Sequence, residues 1–290
     1  MRGSERLTTA FLLALSATAA VARPPDFRWL PLAFGALAGA TALLARLGPR
    51  AGRWRLARDL FPAVVILATF SLLQPAIVAL VPWRLDAALA GFDDRWLGPL
   101  VASWRGLLGR PAPLTDASYL LYLSFYFLPL AAALAARVRQ GEEGFERALL
   151  AVLGTFYASW VGYFLFPAEG PRLPEALEAA VIGGGAISEA SRAFLRAAEA
   201  TTLDAFPSGH TAVSLVAAAV APATSRWSRA LWWSWAAGVV FATVYVHVHY
   251  ASDVIAGGLL AAGALAATSR LSASSGASPP PPTARGARGA

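Results

Sequence analysis

Histidine and aspartate side chains stand at the end of one apolar segment and the start of the next, where they could perform nucleophilic chemistry. His249 and Asp253 are four residues apart, so on a helix both side chains share one face. A carboxylate that binds one imidazole nitrogen fixes the tautomer and leaves the other nitrogen free to attack or to bind. The pair predicts a nucleophilic histidine, and the alternative is a structural hydrogen bond at a helix start.

A second histidine follows a cap motif. Residues 206–210 read Phe-Pro-Ser-Gly-His, and they close a long polar stretch and open an apolar one. Ser208 is a favourable N-cap, and Gly209 allows a ligand to approach the backbone closely. Helix N-termini attract phosphate, and His210 lies in the first turn. We expect an anionic substrate here; the alternative is an ordinary cap beside an unrelated histidine.

Arg172 stands in a segment rich in Gly and Pro, residues 166–174, just past another apolar run. Its planar guanidinium can donate two hydrogen bonds to phosphate oxygens, although a lone loop arginine is usually unremarkable. Even numbers of apolar segments separate Arg172, His210 and His249. If those segments span a membrane, the three residues reach the same face, and a shared site is topologically allowed.

The composition indicates which elements must position these residues. Charged residues make up 14% of the 290-residue chain, against roughly 25% in a soluble domain, and the mean hydropathy is +0.54. These values exclude a soluble globule and a disordered chain. The absence of cysteine excludes disulfides, Cys-ligated metals and thiol catalysis. The cations are all Arg and cluster between apolar runs, which is typical of membrane proteins rather than nucleic-acid-binding proteins.

Eight apolar segments of near-spanning length predict an all-α, polytopic membrane helical bundle. They do not alternate in period two, and backbone groups in lipid must pair within the segment. Arg2 and Arg6 precede the first segment, which ends in Ala-Val-Ala; it is either a span or a cleaved signal peptide. The bundle therefore has about eight spans, or seven after cleavage. The segments are residues 7–22, 31–47, 60–82, 117–136, 148–166, 209–224, 230–247 and 252–268.

The chain divides into three parts by composition. Residues 1–58 hold N-terminal membrane segments, residues 59–270 form the core, and residues 271–290, rich in Pro, Ser and Gly, should be a disordered tail. Residues 83–116 are expected to form an interfacial, amphipathic piece. Residues 167–208 form a polar loop that includes a short surface helix over 186–200.

The arginines also predict an orientation. Fifteen fall on one side of the predicted bundle and nine on the other, where the loops are longer. By the positive-inside rule both termini are cytoplasmic, and Arg172, His210 and His249 face outward. We expect an integral protein of a bacterial inner (plasma) membrane.

With these motifs in place, the chain resembles the type-2 phosphatidic acid phosphatase superfamily, which includes lipid phosphate phosphatases and relatives of vanadium haloperoxidases. Residues 207–210 match the second of three family motifs, and His249 with Asp253 matches the end of the third. Arg172 beside Pro174 matches the first motif loosely. The resemblance implies a six-helix phosphatase-type core.

Within the superfamily, the chain is most similar to the branch that resembles inositol phosphorylceramide synthase, an inositolphosphotransferase. Residues 85–93 and 119–129 fit that branch, as does the Thr-Val-Tyr stretch at residues 243–245. Gly209 matches the phosphatases better, because the branch often has a bulkier residue there.

The resemblance implies a mechanism without metal or cofactor. His249 attacks phosphorus and forms a phosphohistidine, Asp253 orients His249, and His210 protonates the leaving alkoxide. Arg172 and the N–H groups near Ser208 and Gly209 hold the phosphate oxygens. The substrate is a phosphorylated lipid, and the acceptor is water or a hydroxyl such as that of inositol or another lipid.

Two family cations are missing. The usual Lys of the first motif falls on Leu165, and the usual Arg of the third falls on Thr243. His247 is the candidate replacement in the substrate-binding set, and Arg192 or Arg196 could also fold in from the loop.

Two other function classes stay open. His247, His249 and Asp253 could bind zinc or manganese in a metal-dependent membrane hydrolase. A non-enzymatic membrane transporter would instead line a pathway with polar residues inside its spans. The predicted spans contain almost no ionisable residues.

Overall fold

The computed structural model describes residues 1–47, 52–198 and 201–274, and every regular element within these ranges is helical. The all-α prediction is therefore confirmed. Twelve α-helices are described, together with a 3₁₀ turn at Pro25–Phe27. They are α1 Gly3–Ala22, α2 Leu30–Leu47, α3 Gly52–Leu80, α4 Asp86–Trp96, α5 Gly98–Leu108, α6 Ala112–Ser124, α7 Leu128–Leu165, α8 Glu175–Ile182, α9 Ala186–Ala198, α10 Gly209–Val220, α11 Arg226–Tyr245 and α12 Ala251–Ser274.

Five helical stretches in the described part of the chain are long and apolar enough to cross a bilayer, which identifies an integral membrane protein. They are residues 3–22, 25–47, 54–80, 128–165 and 251–270. The sequence predicted eight spans; eight are not shown in the described residues, and the helices that bear on the difference are α7, α10 and α11.

Helix α7 consists of two helical stretches that meet at a kink at Gly141, whose φ of 71° and ψ of −155° are non-helical and are readily adopted by glycine. Helix α10 has 12 residues, fewer than the ~17 that a span needs. Helix α11 carries four tryptophans and two arginines in its first ten residues, a composition typical of a membrane interface.

The short helix α10 lies at the centre of the bundle, packed against α7, α11 and α12. Its Ala, Ser and Val side chains are buried along most of its length. Small residues allow neighbouring helices to approach closely, which favours packing in a membrane. The first residues of α10, including His210, are thereby held inside the bundle.

Helices α1 and α2 pack as a pair against α3 and α7. Thr8 in α1 makes a hydroxyl–hydroxyl hydrogen bond of 2.8 Å with Tyr157 in α7. Phe11 stacks on the same tyrosine with a centroid distance of 4.4 Å. The first apolar segment is therefore a helix whose inner face contacts the core.

The regions predicted outside the spans are largely helical. The interfacial stretch 83–116 contains α4 and α5, and the long polar loop contains α8 and α9, of which α9 lies within the predicted 186–200 helix. Helix α12 continues to Ser274, past the predicted start of the tail. The rest of that tail, residues 275–290, lies outside the described residues.

Candidate active site

Two histidines from distant parts of the chain meet inside the bundle. His210 Nδ1 lies 3.2 Å from His249 Nε2. His249 Nδ1 lies 3.4 Å from the Oδ2 atom of Asp253, slightly longer than an ordinary hydrogen bond. All three side chains are buried; His249 and Asp253 are 1% and 0% exposed. These residues, with Arg172 and Asp204 described below, are called the histidine site.

The order of contacts indicates where the ring protons lie. A carboxylate accepts hydrogen bonds, so Asp253 favours a proton on His249 Nδ1. His249 Nε2 then carries a lone pair and accepts a hydrogen bond from His210 Nδ1. The three side chains therefore form a continuous series of contacts, in which His249 Nε2 carries the free lone pair.

The start of α12 sets the position of Asp253. Asp253 Oδ2 accepts a 2.8 Å hydrogen bond from the Tyr250 N–H. Asp93 in α4 caps the same helix end, because its two carboxylate oxygens accept from the N–H groups of Ala251 and Ser252 at 2.9 Å each. The His249 N–H donates to the Thr243 carbonyl at the end of α11.

Ser208 is the N-cap of α10, and its Oγ accepts a hydrogen bond from the Thr211 N–H. The Ser208 N–H donates to the Asp253 carbonyl at 3.0 Å. That amide joins α10 to α12, and the sequence-based expectation that N–H groups near Ser208 and Gly209 hold phosphate oxygens stays a prediction.

Two glycines are required by close approaches at this junction. A Cβ on Gly209 would lie 2.4 Å from the Tyr163 hydroxyl, and a Cβ on Gly257 in α12 would lie 2.5 Å from the Ser208 carbonyl oxygen. Both distances are well below a van der Waals contact, so a side chain at either position would push α10 away from α7 or α12.

Arg172 belongs to the histidine site through its side chain, which forms an ion pair with a buried aspartate. Its Nη2 atom lies 2.9 Å from Asp204 Oδ1, and the Asp204 side chain is 4% exposed. The loop that carries Arg172 is held by α4, because Asp86 Oδ1 accepts from the N–H groups of Glu169 and Gly170 at 2.7 and 3.1 Å.

His247 does not join the histidine site. It adopts a left-handed backbone conformation, φ 61°, and the histidine-site distances do not involve it. Burial, together with the positive charge of Arg105 in α5, lowers the pKa of His247 to about 4. The side chain is therefore neutral near pH 7.

The other expected replacements bind elsewhere. Arg192 donates to the Gly183 carbonyl at 3.0 Å, and Arg196 pairs with Glu178 at 3.3 Å. Leu165 is 54% exposed and Thr243 is buried. In the described residues, none of these positions brings a cation to the histidines.

The described residues contain no cluster of three or more His, Cys, Asp or Glu side chains that could hold a metal ion. The metal-site hypothesis based on His247, His249 and Asp253 therefore lacks support in this part of the chain.

Aromatic rings hold His210 on the side away from His249. The His210 ring stacks on Tyr122 with a centroid distance of 4.7 Å, and Phe125 lies 4.4 Å away. A cavity of about 320 Å³ begins at this place; His210, Gly209, Asp204 and Tyr163 are among its lining residues. The histidine site therefore has an apolar approach.

The sequence reasoning missed Asp86, Asp93, Asp204 and Tyr163 as residues that position the site. Asp86 and Asp93 stand in a largely apolar stretch, and Asp204 stands three residues before Pro207. These acidic side chains were the available signal, but their partners are distant in sequence and only the packed bundle identifies them.

A protein-family model described as the PAP2 superfamily matches residues 87–267. This range covers more than half of the chain and includes every residue of the histidine site. No curated protein matches the chain, and no solved structure matches it.

Proposed function

The chain belongs to the PAP2 superfamily, and from this premise we propose that it removes or transfers the phosphorylated head group of a membrane lipid through a phosphohistidine. The observation that carries the proposal is the line of contacts His210–His249–Asp253, with distances of 3.2 and 3.4 Å. Without a lone pair on His249 Nε2, the proposed reaction would have no nucleophile.

In the first step, His249 Nε2 attacks phosphorus. The N–P bond forms, the P–O bond to the leaving group breaks, and the alkoxide takes a proton from His210. Asp253 stabilises the positive charge that develops on the His249 ring. Since the two imidazoles touch in this structure, the phosphoryl group must enter between them and separate them.

In the second step, water or an alcohol attacks the phosphohistidine. His210 accepts the proton of the attacking hydroxyl, the N–P bond breaks, and His249 is restored. Water as acceptor yields inorganic phosphate, or a phosphate monoester from a phosphodiester substrate, and an alcohol yields a new phosphodiester from a phosphodiester donor. The same residues serve each outcome, so the acceptor pocket decides between phosphatase and phosphotransferase.

The phosphate oxygens carry most of the charge in the transition state, and fixed positive groups stabilise it. Arg172 is the cation placed to do so, with the positive end of the α10 helix dipole beside it. Asp204 aligns the guanidinium and also cancels part of its charge.

This low positive charge supports the phosphotransferase form of the proposal. Leu165 and Thr243 replace two family cations, and Asp204 pairs with Arg172. A phosphodiester carries one negative charge, whereas a phosphomonoester near pH 7 carries almost two, so a diester requires less compensation. We therefore favour a head-group transfer of the inositolphosphotransferase type, with an inositol-like hydroxyl compound as one of the two substrates.

We place the histidine site at the extracytoplasmic face and both termini in the cytoplasm. The support is the arginine distribution, fifteen on one side of the predicted bundle against nine on the other.

A lipid panel tests the function. Purified protein in detergent is incubated with phosphatidic acid or phosphatidylinositol, with and without inositol and diacylglycerol, and free phosphate and lipid products are followed together. We expect release or transfer that persists in a chelator, with acid-labile phosphate trapped on wild type and none on His249→Ala. No turnover on either lipid, or turnover that requires a divalent metal, contradicts the proposal.

A further inference from the structure

A long apolar cavity extends from the histidine site into the membrane-spanning part of the bundle. It encloses about 320 Å³ between α3, α7 and the turn that joins α6 to α7. His210 and Asp204 lie at one end, and Asp59 with Phe145 lies at the other. The lining between these ends is aromatic and aliphatic, with residues such as Phe70, Val152 and Trp160.

The cavity is elongated along the helices. Its lining runs along α3 from Asp59 to Phe70 and along α7 from Phe145 to Tyr163. At 1.5 Å per residue these stretches are roughly 16 and 27 Å long, a large part of the ~30 Å hydrocarbon core of a bilayer. A cavity of this shape suits an extended chain better than a compact ring system.

The side of the cavity reaches the outer surface of the bundle. Leu67 in α3 and Phe127, just before α7, line the cavity and are 59% and 64% exposed. Both lie within or next to membrane-spanning helices, where the surroundings are lipid hydrocarbon. A chain can therefore enter sideways from the bilayer while its head group moves toward His210.

We propose that this cavity binds one hydrocarbon chain of the substrate lipid and selects substrates by chain length. The inference rests on the proposed function, because it requires the phosphoryl group at His210. The apolar walls offer no partners for a polar or charged ligand, whose burial there is unfavourable. A lipid chain gains no hydrophobic energy on leaving the bilayer, so the selection comes from shape and packing contacts.

A matched pair of substitutions in α3 tests the selection. Ala63 lines the cavity, whereas Ala68 is equally half-buried but lies outside the lining. In Ala63→Phe the ring obstructs the chain and displaces the phosphoryl group; such misplacement can cost on the order of 10²-fold in rate. We expect kcat/KM for a dioleoyl substrate to fall by about that factor, while the dihexanoyl analogue keeps its rate. Ala68→Phe should leave both rates unchanged, and equal losses on both substrates in Ala63→Phe overturn the inference.

A binding measurement separates this inference from the proposed chemistry. A long-chain phosphatidic acid with a diazirine near the end of its chain is photo-crosslinked to the His249→Ala variant, and the labelled peptides are identified by mass spectrometry. We expect labels on the cavity-lining parts of α3 and α7, lost in Ala63→Phe and kept in Ala68→Phe. Labels spread evenly over the lipid-facing surface contradict the cavity, whereas cavity labels without turnover in wild type contradict only the proposed reaction.

Discussion

Two clusters of ionisable side chains lie near opposite ends of the second half of α7, and they have different characters. One is the histidine site. The other, here called the N-terminal charge network, joins the start of α1 to α3 and α7. Its members are Arg2, Glu5, Arg58, Asp59, Arg137, Glu142 and Glu146. Glu146 and Tyr163, which mark the two ends on α7, are roughly 25 Å apart along the helix.

The N-terminal charge network pairs permanent charges. Arg2 binds Asp59 at 2.7 Å and also pairs with Glu142. Arg58 binds Glu5 through Nη2 at 2.9 Å, and Glu146 accepts two hydrogen bonds of 2.6 Å from Ser4. Such pairs hold helices together and keep their charge at any physiological pH.

The histidine site instead pairs imidazoles with each other and with a carboxylate. His210 faces His249, and the Asp253 carboxylate faces the other nitrogen of the His249 ring. Nδ1 of His249, 3.4 Å from Asp253 Oδ2, and Oδ1 of Asp253 make no hydrogen bond of ordinary geometry, and such unsatisfied buried atoms call for an explanation. From this comparison we infer that the ion pairs at one end stabilise the bundle, and we propose that the histidine site at the other end carries out the chemistry.

The sharpest test of this contrast is His249→Ala, which removes the proposed nucleophile. Loss of a nucleophile in covalent enzymes costs up to about 10⁶-fold, so turnover should fall to background while the melting temperature in detergent stays near wild type. Glu142→Gln in the N-terminal charge network is the control and should keep its activity. A His249→Ala variant with a tenth of wild-type turnover would falsify the nucleophile assignment.

His210→Ala should produce the next largest loss. Removal of a general acid typically costs about 10²–10⁴-fold, and the loss should be smaller for substrates with a good leaving group such as p-nitrophenol. Steady-state kinetics with an alkyl and an aryl phosphate ester measure both effects. An equal loss on the two substrates would limit His210 to holding the substrate.

Asp204→Asn changes the charge beside Arg172 and keeps the size of the side chain. Because one negative charge leaves the phosphate site, inorganic phosphate should inhibit about tenfold more strongly, in line with electrostatic interaction at a few ångströms. Asp94→Asn removes an exposed charge on neighbouring α4 and is the matched control. Unchanged phosphate inhibition in Asp204→Asn would show that Asp204 has no influence on anion binding.

Glu5→Gln tests the other cluster. It removes the charge that binds Arg58, where the side chains are 9% and 14% exposed. We expect a loss of about 1–3 kcal/mol in stability, below the range for a fully buried pair, with normal kcat for the folded fraction. Thermal unfolding in detergent measures it, with exposed Glu143→Gln as the control, and a catalytic defect without destabilisation would remove the distinction between the clusters.

His247→Asn should have the smallest effect. The pKa of His247 is lowered to about 4 in the folded protein, so its protonation favours the unfolded state and stability is lost as the pH falls from about 6.5 toward 4. Asn tolerates the left-handed backbone and lacks this titration. The variant should therefore lose less stability between pH 8 and pH 5 than wild type and keep the same pH–activity profile. A shifted pH–activity profile would indicate that His247 takes part in substrate binding.

Much of the fold followed from local patterns. Apolar runs predicted the helices, and Ser208 before an apolar segment predicted the N-cap that starts α10. Eight spans remain a prediction, because five helical stretches of the described residues are long and apolar enough to cross a bilayer and the sequence did not reveal that α10 ends after 12 residues.

For the candidate site, too, some features were predictable from the sequence and others were not. The sequence by itself determined the residue types, the four-residue spacing of His249 and Asp253, and the superfamily. Only the tertiary structure placed His210 against His249 and paired Arg172 with Asp204. The physical reason is that spacing fixes which face of one helix a side chain occupies, whereas contacts between helices depend on how closely their backbones pack, and here Gly209 and Gly257 permit that approach.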